Sequence, residues 1–217
     1  MTTILADTPS LANRFVAELR DADVQQDPLR FRRNLERLGE VFAYEISKQL
    51  SYAERAVETP LGTAQVAQPQ ETLVLAGILR AGLPLHQGLL NYFDRAENAF
   101  VSAYRKHDRS GDFEIAVQYV TCPDLTDKVL ILADPMLATG ASMEMVVNAL
   151  LEHGKPKAVH LVTAIAARDG LRYCRRKLPE FCHFWIGAVD EELTAKSYIV
   201  PGLGDAGDLA YGKKLQQ

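Results

Sequence analysis

A chain of 217 residues with 47% hydrophobic and 24% charged side chains has the size and composition of one globular domain with a substantial core. Its formal net charge of −4 excludes the basic excess that non-specific nucleic-acid binding needs, so an anionic ligand would depend on local cations. Cys122, Cys174 and Cys182 are odd in number and lack CxxC spacing, which speaks against a disulfide framework or zinc site and for a reducing cytoplasm. Asp7, Arg14, Glu18 and Arg20 interrupt the first twenty residues, which predicts no signal peptide, and no apolar run reaches membrane-spanning length.

In chain order, Ser10 can cap a helix over Leu11 to Leu19. Asp27 followed by Pro28 starts a second helix, whose Leu35, Leu38, Phe42, Ile46 and Leu50 fall on one face. Its other face interleaves Arg32, Arg33 and Arg37 with Glu36 and Glu40, a solvated surface with i,i+4 pairs. Residues 58 to 70, with Pro60, Gly62 and Pro69, read as a turn-rich loop or short arm. Leu73 to Leu79 is a buried strand stopping at Arg80-Ala81-Gly82, where small residues let backbone approach a ligand. Arg80 can meet a diphosphate in bidentate fashion or pair with a surface acid, and position alone does not decide. Leu83 to Phe93 reads as a helix in which His86 is structural or superficial rather than catalytic. Ala99 to Tyr104 is a strand, His107 to Asp112 a charged turn, and the alternation from Phe113 to Tyr119 a half-exposed strand, so 100 to 120 forms a hairpin or arm.

Val129 to Ala133 is a buried strand ending in Asp134, followed by a small-residue loop carrying Thr139 and Gly140 and by a helix opening near Ser142. Met143, Val146, Val147, Leu150 and Leu151 keep helical spacing, and Gly154 can cap the end. Backbone N–H groups at such a turn and the positive end of the helix dipole attract a phosphate, while an acid at the strand end can accept from vicinal hydroxyls. The glycines and lysine of a Walker loop and the glycines of a dinucleotide turn are absent. Ala158 to Ala167 and Cys182 to Val189 are further strands flanking a short helix at Leu171 to Leu178. Strands alternating with helices predict a mostly parallel sheet covered on both faces. The tail has a short strand at Tyr198 to Val200, then Gly202, Gly204 and Gly207 around Asp205.

Asp134 to Ser142, DPMLATGAS, resembles the phosphoribosyl pyrophosphate loop of phosphoribosyltransferases in the form found in the uracil phosphoribosyltransferase family. GILRAGLP at Gly77 to Pro84, YIVPGLGDAGD at Tyr198 to Asp208, YEIS at Tyr44 and YRK at Tyr104 extend the resemblance in order from roughly Leu19 to Lys213. The resemblance implies an α/β fold, a mostly parallel central sheet flanked by helices, with a β-arm and a small C-terminal hood. It implies one domain over 1–217, with N-terminal helices at about 10–50, a core at about 70–190 and a base-binding hood at about 190–213. The implied reaction joins uracil to 5-phospho-α-D-ribose 1-diphosphate to give UMP and diphosphate, a pyrimidine salvage step. Asp134, Pro135, Met136, Leu137, Ala138, Thr139, Gly140, Ala141 and Ser142 would hold the phosphoribosyl moiety, with Arg80, Arg105 and Asp205 at the diphosphate. Ile199, Gly204, Asp205 and Ala206 would read uracil, and Asp134, Arg105 and Asp205 are the implied catalytic residues. Mg²⁺ would ride mainly on the diphosphate, with no protein metal cage. A homodimer or higher homo-oligomer and a GTP effector are also implied, with no nucleic-acid or membrane partner. Pro135 and Ala138 stand where other phosphoribosyltransferases often carry acids, which leaves no general base in the loop. Ala141 stands where the family usually has glycine, and Leu209 to Gly212 departs from the usual ending, so a non-catalytic nucleotide sensor on the same fold is the alternative reading.

Overall fold

The computed structural model describes residues 1–107 and 113–214, with side chains described outside 103–117. The elements are β1 (Thr2–Ile4), α1 (Leu11–Arg20), α2 (Pro28–Ser47), β2 (Tyr52–Thr59), β3 (Gly62–Pro69), β4 (Leu73–Leu79), α3 (Leu83–Leu90), β5 (Glu97–His107), β6 (Phe113–Thr121), β7 (Val129–Ala133), β8 (Met136–Leu137), α4 (Ala141–Leu151), β9 (Ala158–Ala167), α5 (Arg168–Lys177), β10 (Cys182–Asp190), β11 (Glu192–Leu193), β12 (Ile199–Val200) and α6 (Ala206–Tyr211). The main sheet runs β1-β10-β9-β7-β4-β5-β6, parallel except for β6, with β8 paired beside β9.

Local chemistry sets the helix starts. Ser10 and Asn13 form a reciprocal capping box on α1, and the Asp27 side chain accepts from the N–H groups of Leu29 and Arg30 ahead of Pro28 at the first position of α2. The central strands are apolar on both sides because both sides are covered. Leu73, Leu75, Val129, Ile131 and Ala133 pack under α1, α2 and α3, while Val74, Ala76, Leu130 and Leu132 pack under α4 and α5. Leu35, Leu38, Phe42 and Ile46 of α2 are fully buried, each such side chain contributing about 1.5–3 kcal/mol.

Several elements differ from the sequence expectation: β8, β11 and α6 were not expected, and α2 ends at Ser47, short of Leu50. β1 was not anticipated, since three residues carry no period; it is held by parallel pairing with Phe184 to Ile186. The 58–70 loop is the second half of a longer hairpin, β2–β3, because Tyr52 to Thr59 pairs residue for residue with Gly62 to Pro69. The helix expected to run to Phe93 stops at Leu90. Gly154, at φ +124°, lies beyond the end of α4, which Glu152 caps, and packs against Asp124 and Thr126. The expected turn at His107 to Asp112 falls largely outside the described residues.

Candidate active site

β4 and β7 are neighbours, but α3 leaves β4 towards one face and α4 leaves β7 towards the other. The chain direction diverges there, and the carboxyl ends of these two strands open the crevice in which α/β sheets bind ligands. Asp134 follows β7 directly, and its N–H donates to Val162 O at 3.0 Å. The Arg80–Gly82 loop follows β4 and packs closely on it: a Cβ at Gly82 would lie 2.6 Å from the carbonyl oxygens of both Ala133 and Ile78.

From Asp134 the chain turns through β8 to Gly140, whose φ of +88° is a left-handed conformation that glycine adopts without steric cost. The Thr139 hydroxyl accepts from the N–H of Ala141 at 3.4 Å. α4 begins at Ala141, so the N–H groups of its first turn and the positive end of its dipole meet the loop. Ala141 is itself helical, and its methyl group requires no left-handed backbone. Burial pushes the Asp134 carboxyl up to about 7, opposed by a hydrogen bond from the Met136 N–H.

The hood follows β10. β11 pairs antiparallel with β12, and Asp205 caps α6 by accepting from the Asp208 N–H at 3.0 Å. Arg80 Nη2 lies 3.2 Å from Asp208 Oδ1 and 3.3 Å from Gly212 O, and Lys214 Nζ lies 3.7 Å from Asp205 Oδ2. Of the two uses of Arg80 left open by position, the structure shows the pairing with an acid, Asp208, which belongs to the hood. Ala81 from one loop, Met136 and Ala138 from the other, and Ile199, Leu203, Ala206 and Leu209 from the hood belong to one apolar cluster. Of the uracil set, Ile199 and Ala206 are buried and Gly204 is exposed with φ +93°. Arg105 lies in β5, where Ser102 pairs with Leu79 at the end of β4; its side chain is outside the described residues.

The sequence reading missed what holds the hood. Arg20 of α1 binds Asp190 through both carboxylate oxygens at 2.8 and 2.7 Å and donates to Gly202 O at 3.0 Å, while the Gly202 N–H donates to Asp190 Oδ2 at 2.9 Å. Arg32 donates to Ala210 O at 2.7 Å and lies over the Tyr211 ring. Separations of 170 and 178 residues leave no periodic trace that a sequence pattern could reveal. The structure has hollows of about 630 and 490 Å³, and the smaller is lined by Gly204, Asp205 and Asp208 of the hood together with Arg20. The larger lies between α2, α3 and β5 and contains none of the expected site residues. His86 lines it, buried against Phe100, with its imidazole held below the usual range by burial, in keeping with a structural histidine. Among the described residues no group of three or more His, Cys, Asp or Glu could hold a metal, and no helix is long and apolar enough to cross a membrane.

A switch-point crevice with a Thr-Gly turn at a helix start, an acid at the strand end and a facing arginine loop is the arrangement of a type I phosphoribosyltransferase-like protein. Residues 6–213 match the family model for uracil phosphoribosyltransferase. The chain is 58% identical over 206 residues to a uracil phosphoribosyltransferase of Porphyromonas gingivalis, covering 95% of each chain. It is 41% identical over 189 residues to one of Methanothermobacter thermautotrophicus, covering 86% of each. A solved structure of a protein from Aquifex aeolicus superposes with a TM-score of 0.88 at 33% identity over the whole of both chains. The chain belongs to the uracil phosphoribosyltransferase family.

Proposed function

We propose that this protein transfers the 5-phosphoribosyl group of 5-phospho-α-D-ribose 1-diphosphate to N1 of uracil, forming UMP and releasing diphosphate. The observation carrying the reading is the meeting of three sequence-distant segments: the Arg80 loop packs at Gly82 on Ala133, just ahead of the Asp134–Ser142 loop, and Arg80 reaches Asp208 and Gly212 of the hood. Thr139 to Ser142 hold the 5′-phosphate, and Asp134, with Pro135 to Ala138 shaping the turn, accepts from the ribose hydroxyls. Arg80 and Arg105 neutralise charge on the departing diphosphate. In the hood, backbone at Ile199 and Gly204 to Ala206 reads the uracil edge, and Asp205 lies towards N1. Positioning and charge stabilisation do the catalytic work as C1′ gains oxocarbenium character. Cytosine, with no hydrogen at N3 and an amino group at C4, leaves the hood's partners unpaired, at about 1–3 kcal/mol per buried group.

An ion carried on the diphosphate would need few protein donors, and Asp205 and Asp208, adjacent at the start of α6, would supply hard oxygens of the kind Mg²⁺ takes. When bound it offsets charge on the leaving group. We assign the whole chain to one domain acting in the cytoplasm on small molecules, with GTP as an effector. The β2–β3 hairpin forms a sheet of its own, exposed along most of its length, with Leu61 at its tip fully exposed. A two-stranded hairpin is marginal alone in water, which supports a homodimer or larger homo-oligomer that covers it.

The test is a Mg²⁺-dependent assay of UMP formation with uracil, cytosine, hypoxanthine and orotate, with and without GTP. Turnover confined to uracil is expected. Absence of turnover with every base, from folded protein that still binds UMP, would establish the non-catalytic alternative.

A further inference from the structure

α5 packs directly on the backbone of the phosphate loop. A Cβ at Gly140 would meet Cys174 Sγ at 2.7 Å, Gly170 O at 2.9 Å and Tyr173 Cδ1 at 2.9 Å, so this face of α5 touches the loop at its left-handed residue. The Tyr173 hydroxyl donates to Glu144 Oε2. Glu144 is the fourth residue of α4, in the turn whose unpaired N–H groups and dipole face the loop. The field that attracts a phosphate there also attracts a carboxylate. An untethered Glu144 is therefore a built-in competitor of the 5′-phosphate, two residues from Ser142.

We propose that Tyr173 is a positioning residue for phosphoribosyl diphosphate: by holding Glu144 onto α5 it keeps a carboxylate out of the phosphate loop. This rests on the reading that Thr139 to Ser142 take the 5′-phosphate. The phenol is suited to the task, since Glu144 raises its proton affinity and keeps it a donor. Cys174 alongside is pushed up to about 12 by burial and adds no charge.

The experiment is steady-state kinetics of wild type, Tyr173→Phe, Glu144→Gln and the double variant, each checked for folding by circular dichroism. Tyr173→Phe is expected to raise KM for phosphoribosyl diphosphate about fivefold, the scale of a charge at a helix end, with kcat and KM for uracil unchanged. The double variant is expected to return KM to the wild-type value although it too lacks the ionic hydrogen bond, because the competing charge is gone. An unchanged KM in Tyr173→Phe, or a double variant as impaired as the single, overturns the proposal while wild-type turnover leaves the functional reading standing. A wild-type protein without turnover overturns both.

Discussion

Gly170→Ala tests how the loop proposed to hold the 5′-phosphate is supported. A Cβ at residue 170 would lie 2.0 Å from the carbonyl oxygen of Ala138 and 2.9 Å from its carbon. An ordinary carbon–oxygen contact begins near 3.3 Å, so loop and helix must separate by roughly 1.3 Å. α5 cannot retreat without opening the core, since Leu171, Cys174 and Leu178 are buried under it. The loop, ending in a short helix-initiating turn, moves instead. Overpacking of this kind costs about 1–3 kcal/mol of stability, and misplacing a binding group by about 1 Å costs up to about 100-fold in rate. The expected result is a folded protein with kcat/KM for phosphoribosyl diphosphate lowered about 10- to 100-fold. A Gly170→Ala variant with wild-type kcat/KM would refute the view that α5 sets the loop.

Asp190→Ala strands Arg20 and the Gly202 N–H in a largely buried setting; removing one partner of such a pair costs about 3–5 kcal/mol, read as a lower urea midpoint together with a raised KM for uracil. Because burial lifts Asp134 to about 7, kcat/KM for phosphoribosyl diphosphate should rise with pH through about 7 as the carboxylate forms; in Asp134→Asn that limb should vanish, leaving only titration of the substrate phosphate. Arg105→Ala should lower turnover without unfolding the protein, and wild-type kinetics would remove Arg105 from the site. His160 accepts from Trp185 Nε1 at 2.9 Å and is held down to about 4 by burial. Its folded pKa lies below the unfolded value of 6.5, so the unfolded chain binds the extra proton. Stability is therefore complete above about 6.5 and is lost as pH falls towards 4, by about 3 kcal/mol in all. Denaturation followed by Trp185 fluorescence should show that slope in wild type and a flatter one in His160→Phe.

Much of the architecture was legible because it is encoded locally. The capping acid and proline at Asp27-Pro28, the apolar stripe from Leu35 to Ile46 and the buried runs at Leu73, Val129 and Ala158 each report a period or a terminus within a few residues. The loop between β7 and α4 was legible for the same reason, since strand, acid, Thr-Gly turn and helix start are contiguous. Tertiary structure alone decided that Arg80 faces Asp208 across 128 residues, that Arg20 and Asp190 fasten the hood across 170, and that Tyr173 restrains Glu144. It also decided which glycine of the loop needs a left-handed backbone: Gly140 does, and position 141 accepts alanine because it is already helix. Short-range order leaves a repeating signature in the chain, whereas a contact between distant side chains arises only when the sheet brings their strands to the same edge.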